Sequence, residues 1–101
     1  MSTYYVYIIS NWNHRVLYSG FTDDVEYRTY QHKHRFYKGF SDRYNCYKLL
    51  YYEEWETAEE ALHRERQIKR YRRQWKNNLI NSMNPDWRDL YDDFINEIYS
   101  K

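Results

Sequence analysis

One cysteine, one proline and two glycines in a chain of 101 residues exclude several architectures at the outset. Cys46, being alone, can form neither an intramolecular disulfide nor a thiolate zinc site, and it suits a reducing, cytoplasmic setting. It falls in a strand-like run and reads as a small buried hydrophobe. Four histidines without cysteine partners give no zinc pattern either. There is no repeat, linker or low-complexity segment. Long apolar runs are missing too. The longest, Tyr4 to Ile9, is far too short to span a bilayer, and the N-terminus shows no basic leader, so neither a signal peptide nor a membrane partner is expected. Strong net charge is the last absence. DNA-binding domains are commonly basic, because neutralising phosphates supplies most non-specific affinity, yet the formal charge here is only +1.

What the chain has in abundance is aromatic: 14 tyrosines and 4 tryptophans supply much of its 42% apolar fraction. Rings with polar tips can line a half-open cleft or stack on bases as readily as they fill a core. A charged fraction of 31% in both signs, combined with so many rings, argues against disorder. The length allows one domain, residues 1–101, around one modest core. The charges are segregated. From His63 to Lys76 the bases Arg64, Arg66, Lys69, Arg70, Arg72, Arg73 and Lys76 face the single acid Glu65. Arg28, Lys33, Arg35, Lys38 and Arg43 form a second basic stretch. Acids gather from Glu53 to Glu60 and from Asp86 to Glu97. Such segregation fits a phosphate-binding face, and equally a solvated helix face with i,i+4 ion pairs.

Tyr4 to Ser10 is β-branched and aromatic and reads as a strand; Asn11 to His14 reads as a turn, and Arg15 to Thr22 as the returning strand. A four-residue loop pairs Ser10 with Arg15, Ile8 with Leu17 and Tyr7 with Tyr18, placing the two tyrosines side by side on one face. Gly20 lies further along that face, where a glycine leaves room for a close approach. Asp23 to Glu26 has capping-box spacing and opens a helix to about Lys33. Arg35 to Asn45 reads as an exposed loop and Cys46 to Tyr52 as a third strand. Thr57-x-x-Glu60 opens a helix to about Tyr71, with a break before a further helix from Gln74 to Ser82. A last helix, Asp86 to Ile98, follows Pro85. The order β-β-α-β-α-α-α predicts an α+β domain, a small three-stranded antiparallel sheet flanked by helices.

Some polar residues stand where apolar ones are expected. The stripe Ala58, Ala61, Leu62, Ile68 carries Glu65 on the same face, and an inward carboxylate is costly unless it is paired or bound to a metal. A buried ion pair to an arginine serves as well as a cation. The inward face of the first helix should hold Val25, Arg28 or Thr29, His32 and Phe36. Arg28 and His32 share a side, where a guanidinium fork suits a phosphate. The plainer reading is a surface arginine beside a solvated histidine.

Tyr5-Val6-Tyr7 and Tyr18-Ser19-Gly20 resemble the paired motifs that name the GIY-YIG nuclease family, and the rest of the spacing is similar. Arg28, with His32 one turn on, resembles the family's catalytic arginine and histidine. Ala61 to Lys69 resembles the helix that carries the metal-binding glutamate. The tail, Lys76 to Leu90, resembles the short stand-alone bacterial branch. Tyr5 replaces the first glycine of the name, a change that branch tolerates, and Ser19 replaces an isoleucine.

The resemblance implies a GIY-YIG domain that hydrolyses one DNA strand with a single divalent cation. It assigns catalytic roles to Tyr7, Tyr18, Arg28, His32 and Glu65. Glu65 would hold Mg²⁺ or Mn²⁺, Arg28 would stabilise the phosphate, and Tyr7 would handle the water with Tyr18 beside it and His32 as a relay. The basic run predicts backbone contacts at Lys69, Arg70 and Arg73, with Lys33 and Arg35 as a second set. The expected partner is DNA, branched or damaged DNA included, with a protein partner for targeting since no separate targeting domain is visible. Two readings from other classes compete: a nucleic-acid-binding module without chemistry, and a structural interaction domain. Retention of Arg28 and Glu65 argues against the first.

Overall fold

Val6 to Ser10 is buried without interruption, and this run is the middle strand of the sheet. The computed structural model describes residues 3–35 and 39–99. Strands β1 (Tyr4–Ser10), β2 (Leu17–Thr22) and β3 (Lys48–Trp55) lie in the order β2-β1-β3, all antiparallel. The helices are α1 (Val25–Lys33), α2 (Phe40–Arg43), α3 (Ala58–Lys69), α4 (Arg73–Met83) and α5 (Tyr91–Tyr99). The α+β class, the three antiparallel strands and the element order are as the sequence predicts, with the four-residue α2 added inside the expected loop. Phe36 and Lys38 lie outside the described residues.

The alternation of β1 divides the core in two. Val6 and Ile8 pack with Leu50 and Tyr51 against Ala61 and Ile68 of α3 and Ile80 of α4. Tyr7 and Ile9 pack on the opposite side with Leu49, Val25 of α1, Cys46 and Leu90. With both faces covered, the strand has no use for polar alternation. Each of its fully buried aliphatic residues is worth roughly 1.5–3 kcal/mol in transfer terms. Cys46 is buried as expected, but it precedes β3 instead of lying in it.

The β1–β2 connection is longer than the expected four residues. Asn11 closes it from both sides: its N–H donates to the Val16 carbonyl at 3.3 Å and its Oδ1 accepts from the Val16 N–H at 3.1 Å. His14 turns through the left-handed region at φ 62°. The register is therefore Ser10 with Leu17, Ile9 with Tyr18 and Tyr7 with Gly20. Tyr7 and Tyr18 are not direct partners, as the shorter loop had implied. The displacement is two residues, the period of a strand, so both tyrosines keep one face and stand diagonally.

Two helix starts also differ. Asp24 alone caps α1, accepting from the Tyr27 N–H at 3.0 Å. The last helix begins at Tyr91, not Asp86, because side chains take up the preceding backbone. Asn84 donates to the carbonyls of Leu50 and Arg88, Asp89 accepts from the N–H groups of Leu49 and Tyr91, and Trp87 sits at φ 54°. Side-chain bonding of this kind competes with helix formation. The break between α3 and α4 occurs as expected, with Arg72 extended at ψ 157°.

Candidate active site

Tyr7 is only 1% exposed, and its ring lies across Gly20. A Cβ at position 20 would stand 2.5 Å from the phenol oxygen and 2.6 Å from Cζ, so only glycine leaves the ring room. The Tyr7 hydroxyl and His32 Nε2 are hydrogen-bonded at 3.0 Å, while Ser41 Oγ bonds His32 Nδ1 at 3.1 Å. His32 is thus buried and bonded at both nitrogens, not solvated. Burial, and secondly the Arg28 guanidinium, lower its pKa to about 4. A neutral imidazole accepts at one nitrogen and donates at the other, so it couples Ser41 to Tyr7.

Helix α1 buries Val25, Thr29 and His32, a stripe in which Thr29 takes the inner position and Arg28 stays half-buried beside His32. Thr29 is accommodated because its hydroxyl donates to the Val25 carbonyl at 2.7 Å. Tyr18 closes the other side, with its ring centroid 5.9 Å from that of His32.

Glu65 is 8% exposed, as its place on the apolar stripe predicts. Its partner is Lys69, one turn on, with Nζ at 3.3 Å. The same ammonium lies 5.5 Å from the centroid of the Tyr18 ring, which brings the carboxylate to the tyrosine face. Among the described residues no three His, Cys, Asp or Glu side chains cluster as a metal cage. One inward carboxylate with a displaceable ammonium fits a hard cation that keeps waters and takes phosphate oxygens, the usual manner of Mg²⁺.

The expected phosphate contacts divide. Arg70 is exposed at the end of α3, and Lys69 has a side chain 48% exposed. Arg73 is exposed but donates to the carbonyls of His14 and Arg15, pinning α4 to the β1–β2 loop. Arg35 pairs with Asp42 at 2.6 Å. Lys33 ion-pairs with Asp89 and lies 4.9 Å from the Tyr91 ring centroid. Lys76, at the end of the expected basic run, is half-buried, and its pKa is lowered first by burial and then by the charges of Arg73 and Lys69. Sequence reasoning missed Ser41, for which a serine in a loop gives no signal.

A sheet carrying paired tyrosines over a glycine, with an arginine–histidine helix on one side and a carboxylate helix on the other, defines a class of small nuclease-like domains. Residues 3–79 match the family model described as the GIY-YIG catalytic domain, and the chain belongs to the GIY-YIG family. It is similar to UPF0213 proteins of Staphylococcus aureus, those of strains N315 and Mu50 among them, at 37% identity over 84 residues, covering 79% of this chain and 96% of each relative. A solution structure of a UPF0213 protein from Bacillus halodurans shares the fold at TM-score 0.54 and 23% identity, covering 86% of this chain and 92% of that one.

Proposed function

We infer that the protein is a divalent-metal-dependent endonuclease that hydrolyses phosphodiester bonds in DNA. The observation that carries this reading is the convergence on one face of Tyr7, His32 and Arg28 with Tyr18 and, through Lys69, Glu65. Glu65 would hold Mg²⁺ or Mn²⁺, which when bound supplies charge stabilisation at the leaving 3′ oxygen. Arg28 offers its planar fork to the non-bridging phosphate oxygens, where negative charge grows toward the transition state. Tyr7 orients the attacking water, its phenol held in place by Gly20 below and His32 beside it. A phenol is a weak base at neutral pH, so the role assigned to Tyr7 is to position the water. His32, held at about 4, is a poor resting place for the proton and a good orienting partner. Lys69 and Arg70, with Lys76 near the first of them, supply backbone affinity despite the chain's low net charge.

The test is nicking of supercoiled plasmid with Mg²⁺, with Mn²⁺ and with chelator, by wild type and by Glu65→Ala. Metal-dependent nicking that the substitution abolishes supports the reading. DNA retention without nicking points to a binding module, and no retention at low salt points to a structural domain.

A further inference from the structure

Helix α2 is four residues long, yet it carries two large exposed rings, Phe40 at 50% and Tyr44 at 42%. Neither belongs to either core cluster. Phe40 stacks on Tyr18 of the active-site face, with centroids 6.0 Å apart and planes inclined by 22°. Tyr44 follows at 4.7 Å from Phe40. A cation flanks each end of this row without burying it: Lys69 lies 5.5 Å from the Tyr18 centroid and the Arg43 guanidinium 5.7 Å from that of Tyr44, while Phe40 and Tyr44 stay exposed. The row is fixed in place through Ser41, whose hydroxyl bonds His32 and whose carbonyl accepts from the Cys46 N–H at 2.8 Å. Apolar rings gathered in one exposed row form the kind of contiguous patch that marks binding surfaces, unlike rings scattered singly.

We propose that Tyr18, Phe40 and Tyr44 form a stacking platform for an unpaired base next to the cleaved bond, which makes the substrate DNA with at least one nucleotide outside the duplex. Every base has a π-face that an aromatic side chain can cover, whereas a paired base inside a duplex presents none. The flanking Lys69 and Arg43 complement the phosphates on either side of a displaced nucleotide, a charge pattern that an apolar peptide would not require. This inference rests on the nuclease reading for its orientation, since Tyr18 belongs to both sites.

The experiment is binding in chelator, so that nothing is cut, to two probes: a fully paired duplex and the same duplex with one unpaired 2-aminopurine. Wild type binds the second about tenfold more tightly and changes the fluorescence of the unpaired base. Phe40→Ala and Tyr44→Ala lose that preference while keeping duplex affinity; Phe40→Trp retains it. Phe40→Leu keeps an apolar side chain without a π-face and loses it. Equal binding of both probes by wild type, equal loss on both probes in the alanine variants, or full preference in Phe40→Leu overturns the platform. Circular dichroism of each variant verifies folding, which an exposed position should tolerate. Plasmid nicking is scored separately: a Phe40-dependent preference without nicking leaves the platform standing and removes the hydrolytic reading. Wild type that binds neither probe overturns both.

Discussion

The Tyr7 ring occupies the space where residue 20 would carry its Cβ, so Gly20 and Tyr7 are one structural unit. Gly20→Ala must push a buried ring away from His32, since the phenol oxygen stands 2.5 Å from the new atom. Overpacking of this kind costs about 1–3 kcal/mol. We expect that loss in urea unfolding and at least a tenfold fall in nicking rate. A Gly20→Ala protein with wild-type stability and rate would show that the ring has another place to go.

His32 makes stability depend on pH in a definite direction. Its folded pKa, about 4, lies below the unfolded value near 6.5, so between those limits the unfolded chain binds a proton that the folded one refuses. The contribution is complete above about pH 6.5, is lost as pH falls toward 4, and changes little below that. His32→Gln keeps hydrogen-bonding capacity and removes the titration. The stability difference between wild type and His32→Gln, followed by urea unfolding from pH 7.5 to 4, should shrink across that window. A constant difference would mean that the folded histidine binds protons as the unfolded one does, and a difference that grows would mean a histidine held charged in the fold.

Arg28→Lys should be nearly as damaging to nicking as Arg28→Ala, because an ammonium keeps charge and loses the bidentate fork. Both should lower turnover more than DNA affinity, the mark of an interaction that strengthens in the transition state. Single-turnover rates and binding isotherms separate the two quantities. A lysine variant with most of the activity would reduce Arg28 to a general electrostatic contact.

Lys69, Arg70 and Arg73 should behave differently from one another although they are close in sequence. Lys69→Ala and Arg70→Ala should each lower the salt slope of duplex binding by about one unit, equally for unrelated sequences. Arg73→Ala should also lower the melting temperature, because Arg73 ties α4 to the carbonyls of the β1–β2 loop. Titrations at several salt concentrations, with thermal melts beside them, decide this. Unchanged slopes in all three variants would move the DNA path toward Arg35.

Much of the site was legible because local periodicity carries it. A two-residue repeat puts Tyr18 and Gly20 on one face, which Tyr7 shares for the expected loop of four residues and for the observed one of six alike, and a helical repeat puts Glu65 inward. Capping chemistry was equally readable at Thr57, whose hydroxyl accepts from the Glu60 N–H at 3.1 Å. What the chain alone left open was every choice between equivalent long-range partners. Glu65 could have met an arginine and met Lys69; His32 could have faced water and instead bridges Tyr7 and Ser41. Lys33 gave no sign in the sequence that it would pair with Asp89, nor Phe40 that it would stack on Tyr18. Period and propensity act over a few neighbouring residues. The hydrogen bond from residue 7 to residue 32 and the ion pair from residue 33 to residue 89 exist only once packing has brought distant segments together.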